Sequence, residues 1–183
     1  MRIALFGIAC VGKSTIGELL AKKWGYTFID FDMEVKSRMG VSISKLMDDC
    51  LTDQGYRQKV KHILPQILQE NKDNMVLAMP PSGLFREYLT VFRKHGDVLT
   101  VTLKDKAKNI LQRLIFTDDD DNLLDEEIVN DGNRALYYKE IQKDIDYYSY
   151  TLRKADLQFN IDGMNAESAA NLLAERILAR NQN

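Results

Sequence analysis

One octapeptide near the start of the chain restricts the fold more than any other feature. Gly7-Ile8-Ala9-Cys10-Val11-Gly12-Lys13-Ser14 matches the pattern G-x-x-x-x-G-K-[ST], with a short apolar run before it and residues of helical period after it. A strand, a glycine-bearing turn and a helix in that order make a phosphate cradle. Glycine lets the backbone turn so that successive N–H groups converge on phosphate oxygens, and the helix adds its positive end at the same spot. Lys13 brings a mobile cation to the β- and γ-phosphates, and Ser14 brings a hydroxyl ligand for Mg²⁺. Gly7, Cys10, Val11, Gly12, Lys13, Ser14 and Thr15 are therefore expected to hold the phosphates of ATP. Without a ligand, the same turn would serve only as a helix cap.

Strand-length apolar runs alternate with helical stretches along the rest of the chain. The pattern predicts strands at residues 2–6, 27–30, 75–78, 98–103 and 157–161. It predicts helices at 14–24, 33–39, 42–49, 53–69, 84–94, 105–116 and 166–180, with Pro65 kinking or breaking the fourth. Strands separated by helices imply an α/β fold: a three-layer α/β/α arrangement around a five-stranded parallel sheet. No internal repeat or low-complexity linker divides the 183 residues, which read as a single domain.

Charge and cysteine usage narrow the class. A formal net charge of -2 offers no positive field for nucleic acid or an anionic membrane. No apolar run approaches the roughly 20 residues that span a bilayer, and the N-terminus runs directly into the motif, unlike a signal peptide. Cys10 and Cys50 form no disulfide framework, which suits a reduced, cytoplasmic, monomeric chain. Cys10, inside the phosphate loop, reads either as a reactive thiol shielded by nucleotide or as a small apolar filler beneath the loop. Cys50 is the comparison thiol.

Other phosphate-loop classes lack their marks. Asn71-Lys72-Asp73-Asn74 has Asn where guanine recognition needs Asp, no ABC-type signature is present, and the chain is too small for a motor. The small-kinase branch remains. Residues 117–132 carry eight acidic side chains and no Lys or Arg, which reads either as a solvated loop or as a lid. Asp118-x-Asp120-x-Asn122 starts like an EF-hand loop, but Leu123 and Val129 occupy the positions that need Gly and Glu. His62 and His95 have no ligand partners at metal spacing.

The run from the phosphate loop through Gly25-Tyr26-Thr27-Phe28-Ile29-Asp30-Phe31-Asp32, Gly40-Val41-Ser42-Ile43 and Gly55-Tyr56-Arg57 resembles shikimate kinase. Arg134-Ala135-Leu136-Tyr137-Tyr138 is similar to that family's Arg-x-Pro-Leu-Tyr segment, with Leu136 for Pro. The resemblance implies a P-loop fold of the nucleoside-monophosphate-kinase type with a mobile lid, MgATP as phosphoryl donor, and shikimate as hydroxyl acceptor. It implies Asp30 as a Mg²⁺ ligand, Asp32 as candidate base and acceptor contact, and Arg57 and Arg134 as holders of the acceptor carboxylate. Asp32 also has a purely structural reading, as the cap of the helix that follows.

Four departures from the family bear on the substrate. Cys10 replaces a loop glycine, a costly choice if the position needs positive φ. Met79-Pro80-Pro81-Ser82-Gly83 replaces a glycine triplet, so N–H donors are lost there and Ser82 is the candidate replacement. No cation lies between Arg113 and Arg134, which leaves Arg113 as the candidate nucleotide-binding arginine. The last helical region before the fifth strand is longer, and Ile141, Ile145, Tyr148 and Leu152 keep core-facing helical spacing. Shikimate phosphorylation leads, followed by a related kinase for another polyol, sugar acid or nucleoside. A nucleotide-binding regulator without transferase activity is the reading from a different class.

Overall fold

β1 (Arg2–Phe6) explains how the layers form. All five of its residues are buried, as a central parallel strand requires. Successive side chains point to opposite faces, so Ile3 and Leu5 enter one core while Ala4 and Phe6 enter another. The computed structural model describes residues 1–50, 52–81, 85–124 and 128–180. Its strands β1, β2 (Thr27–Asp30), β3 (Met75–Ala78), β4 (Val98–Lys104) and β5 (Leu157–Asn160) form one sheet in the order β2-β3-β1-β4-β5. Every neighbouring pair is parallel.

The first core joins the sheet to α1 (Lys13–Trp24) and α9 (Ala166–Arg180) through Ile16, Leu20, Leu173 and Ile177. α8 (Arg134–Leu152) joins it too, with Ile141 buried and Ile145, Tyr148 and Leu152 packed alongside. The second core lies under α2 (Phe31–Met39), α4 (Asp53–Val60), α5 (Ile63–Glu70) and α6 (Phe85–His95), through Phe31, Val60, Ile67 and Phe92. Each such side chain, fully buried, contributes about 1.5–3 kcal/mol.

The chain passes from β3 to β4 across β1, which leaves a crevice at the carboxyl ends of the strands, where open α/β sheets bind ligands. Ala78 pairs with both Leu5 and Asp30, so the second strand's terminal carboxylate lies two strands from the start of the phosphate loop.

The fourth expected helix is broken, as Pro65 allowed, and two other elements differ from the sequence expectation. The helix anticipated over 53–69 is two helices, α4 and α5, separated at Lys61–His62. The break precedes Pro65, which becomes the third residue of α5. Its missing N–H falls there in the first turn, where donors have no intrahelical partner. The helix anticipated over 105–116 is only α7 (Ala107–Leu111). Beyond it, the Asp118 carboxylate accepts from Asp120 N (2.9 Å), Asn122 N (2.9 Å) and Asn122 Nδ2 (3.0 Å), and Thr117 bridges Leu123. Local side-chain bonds of that kind compete with helix. Finally, α2 starts at Phe31 and not at 33, so Asp32 lies within its first turn.

Candidate active site

The phosphate loop joins β1 to α1 through strained backbone. Gly7 has φ 151°, and a Cβ there would stand 2.7 Å from the Leu103 carbonyl oxygen, so only glycine fits. Cys10 adopts φ 55°, the left-handed conformation that costs a non-glycine residue free energy, and it is half-buried against the first core. Val11 is buried, so its side chain anchors the loop and its backbone is what a ligand would meet. Thr15, in the first turn of α1, is exposed.

Lys13 folds its amine back onto the loop, donating to Ile8 O (2.8 Å) and Gly7 O (3.1 Å). With the residue 8% exposed, burial lowers its pKa to about 8, opposed by the negative groups Asp32, Cys10 and Asp30. Ser14 Oγ donates to Asp30 Oδ2 at 2.6 Å. The other oxygen of Asp30 accepts from Asp32 N (3.0 Å) and Met33 N (3.4 Å), which makes Asp30 the N-cap of α2. The capping role that the sequence allowed for Asp32 thus belongs to Asp30. Asp32 is left with a carboxyl raised to about 6, first by burial and then by the charge of Asp30. Lys13 opposes the shift, and Asp121 adds to it.

The other end of the crevice is built from separate segments. Tyr56, on α4, and Tyr88, on α6, are buried in the second core, and the Tyr88 ring packs on Phe31 at 5.6 Å. Burial raises the pKa of both phenols, and the Asp32 charge is the next cause for each. Half-buried Arg57 acts on Tyr88 in the opposite direction, so Asp32, Arg57 and Tyr88 lie within electrostatic reach of one another. The sequence carries Tyr56 beside Arg57 but gives it no role. Nothing in the spacing of Tyr88 marks it at all.

The acidic segment docks onto this end. Ser42 Oγ donates to Asp119 O (2.6 Å), and Ile43 N, at the start of α3 (Ile43–Asp48), donates to Asp121 Oδ2 (3.0 Å). Lys36 donates to Asp120 O (3.2 Å) and pairs with Asp121 (3.3 Å), while Lys45 pairs with Asp120. Between the solvated-loop and lid readings, the structure has the described part of this segment resting on α2 and α3 beside Asp32. Lys36 and Lys45 are opposite in charge to the segment, but nothing in their sequence spacing pairs them with it.

Arg113 and Arg134 each meet other groups in this structure. Arg113 pairs with the buried carboxylate of Asp105, which also accepts from Asn109 Nδ2 (2.6 Å) and from the backbone N–H groups of Lys106 (2.8 Å) and Gly163 (3.2 Å). Arg113, just after α7, is therefore tied to the loop between β4 and α7 and, through Asp105, to the loop after β5. Arg134 opens α8 and is exposed. It lines a cleft with Phe116, Leu124 and Val129 that Asp32 does not line. Ser82 lies outside the described residues. Among the described residues, no helix is long and apolar enough to cross a membrane.

Comparison with known proteins adds a family. A sequence model described as shikimate kinase matches residues 9–175. The chain is 34% identical over 121 residues to a shikimate kinase of Nitrosomonas europaea, covering 60% of this chain and 56% of that protein. The aligned part thus spans little more than half the length of that relative. The shikimate kinase structure from Aquifex aeolicus superposes with a TM-score of 0.68 at 26% identity, covering 98% of both chains. The Acinetobacter baumannii enzyme in complex with shikimate superposes with a TM-score of 0.78 at 21% identity, over 100% of this chain and 95% of that one. At that identity the second likeness concerns the fold alone.

Proposed function

Because the chain belongs to the shikimate kinase family, we propose that it transfers the γ-phosphoryl group of MgATP to a hydroxyl of shikimate, acting as a single catalytic domain with a lid. One observation carries the reading. The Ser14 hydroxyl and Asp30 carboxylate meet at 2.6 Å, and Asp32 follows two residues later with a pKa raised to about 6. A hydroxyl and a carboxylate side by side are the hard oxygen donors that Mg²⁺ takes, so these residues fit the ion. The turned backbone of Gly7 to Ser14, with the Lys13 amine already inside it, fits the phosphates.

Mg²⁺ would supply charge neutralisation between phosphate oxygens. The chain's own residues do the rest. Lys13 exchanges its two carbonyl partners for phosphate oxygens, whose negative charge favours its protonated form. Asp32, ionised at neutral pH yet far more basic than a free aspartate, orients the acceptor hydroxyl and takes its proton. Arg57 holds the acceptor carboxylate, for which a planar guanidinium is suited. Arg134 joins it once the lid segment and the start of α8 close further, and Arg113 borders the nucleotide. The lid excludes water during transfer. Two free cysteines suit a cytoplasmic setting.

A second reading is a related kinase for another polyol, sugar acid or nucleoside, of which the polyol and the nucleoside carry no carboxylate. It is favoured by the Asp121 carboxylate near Asp32, where a carboxylate substrate would meet repulsion, and by the donor-less Pro80-Pro81. The test is ADP release from MgATP across a panel of hydroxy acids, polyols and nucleosides. Release that depends on shikimate and exceeds hydrolysis without acceptor supports the first reading. Release with another acceptor selects the second. Nucleotide binding without turnover on any acceptor leaves the regulator.

A further inference from the structure

Tyr56 has an oxygen that the fold does not use. Its ring is held in the second core with Phe31, Leu46, Val60 and Tyr88, and the residue is 7% exposed. Its hydroxyl is buried and has no hydrogen-bond partner among the described residues. A hydroxyl taken out of water and left unpaired destabilises the chain that carries it, whereas phenylalanine would bury the same ring without that cost. Native proteins leave few such groups, and those they leave call for a ligand or a function.

The surroundings say what that ligand presents. Asp32, Tyr88, Asp121 and Cys50 all bear on the Tyr56 phenol. Two of these are carboxylates, so an anionic oxygen is a poor partner at this spot. The neighbouring Arg57 is the group suited to a carboxylate. Tyr56 is left for a neutral oxygen, and a hydroxyl is the neutral oxygen that a polyhydroxylated acceptor carries.

We propose that Tyr56 is a specificity-determining residue of the acceptor site, its buried hydroxyl hydrogen-bonding an acceptor hydroxyl other than the one phosphorylated. The proposal rests on the acceptor reading of this end of the crevice. A pocket built around such a bond rejects analogues that lack the hydroxyl far more strongly than an apolar pocket rejects a missing methylene, because the protein's own oxygen is again left unpaired.

The experiment compares wild type with Tyr56→Phe, which removes one oxygen and keeps the ring. Thermal unfolding is measured on the ligand-free proteins. Steady-state kinetics follow for the acceptor that wild type phosphorylates, and for its analogues with one hydroxyl deleted at a time. The ligand-free variant should melt at the wild-type temperature or above it. Its acceptor KM should rise by about tenfold, the scale of one lost hydrogen bond, with kcat within about twofold. Wild type should discriminate against one particular deoxy analogue, and Tyr56→Phe should lose that discrimination while keeping the others. A variant that melts well below wild type has lost a structural bond, and the proposal falls. Unchanged KM and unchanged discrimination also overturn it while the kinase reading stands. Absence of turnover with every acceptor overturns both.

Discussion

The two ends of the crevice are made in different ways. At the phosphate end, residues 7 to 32 are one continuous stretch, and the loop, Lys13, Ser14, Asp30 and Asp32 follow one another along it. Backbone geometry does most of the work there, through Gly7 at φ 151° and Gly12 at φ 106°. At the proposed acceptor end, Asp32, Tyr56, Arg57, Tyr88 and Asp121 arrive from α2, α4, α6 and the acidic segment. Phosphate is the same in every nucleotide, so a local backbone device suffices to bind it. An acceptor is recognised by the arrangement of its groups, and that takes contributions from distant segments.

Substitutions should therefore separate cleanly by end. Lys13→Ala should cause the largest loss, to well under a tenth of wild-type activity and on the order of 10²–10³-fold, since it removes charge stabilisation made in the transition state. Circular dichroism should be unchanged, because the buried amine's loop contacts are not what holds the layers together. Retained activity above about a tenth would break the assignment of the phosphate end.

Asp32→Asn sits where the two ends meet. Turnover should fall by about 10²–10⁴-fold, the usual range for a lost general base, while nucleotide titration gives near wild-type affinity. Collapse of ATP affinity with turnover preserved at saturation would move Asp32 to the phosphate end.

Arg57→Ala should raise the acceptor KM about tenfold, the scale of one charge-assisted pair, and leave the KM for ATP alone. Arg134→Ala should do the same to a smaller degree, because its exposed guanidinium stands apart from Asp32. Equal effects in the two variants would show that α8 swings fully into the acceptor end during turnover. Wild-type kinetics in both would remove a carboxylate from the acceptor's description.

The smallest effect belongs to the lid. Lys45 and Asp120 pair in the open, where salt screens them, so Lys45→Glu should raise the acceptor KM by only about threefold or less. Lys45→Glu combined with Asp120→Lys should restore it, and added salt should erase the difference between variants. Failure of the double variant to recover would mean that the segment docks through Ser42, Ile43 and Lys36 without help from the Lys45 pair.

The same contrast decides what the sequence revealed. A motif of fixed spacing announces itself, so the phosphate loop and the five strands were readable from their order, whereas the roles of Asp30 and Asp32 came from the resemblance. Arg57 was reached by resemblance, and burial together with Tyr88 gives it a physical setting. Tyr56 and Tyr88 look like ordinary core aromatics at helical spacing, and only folding brings both within electrostatic reach of Asp32. The lid's docking was equally hidden, because Lys36 and Lys45 are more than 70 residues away from their partners. Local bonding also misled the reading of regular structure, as where the Asp118 turn takes over from the expected helix after α7.

Each end happens to carry one free cysteine. Cys10 lies in the phosphate loop, and Cys50, a remote comparison thiol on the sequence alone, lies beside Tyr56 at the acceptor end. Brief alkylation at neutral pH followed by mass spectrometry reports on both ends in one sample. The two-ended account predicts that MgATP slows labelling of Cys10 and leaves Cys50 alone, while the acceptor slows Cys50 and leaves Cys10 alone. Rates at Cys10 that do not respond to MgATP, or an acceptor that protects Cys10 in place of Cys50, would contradict it.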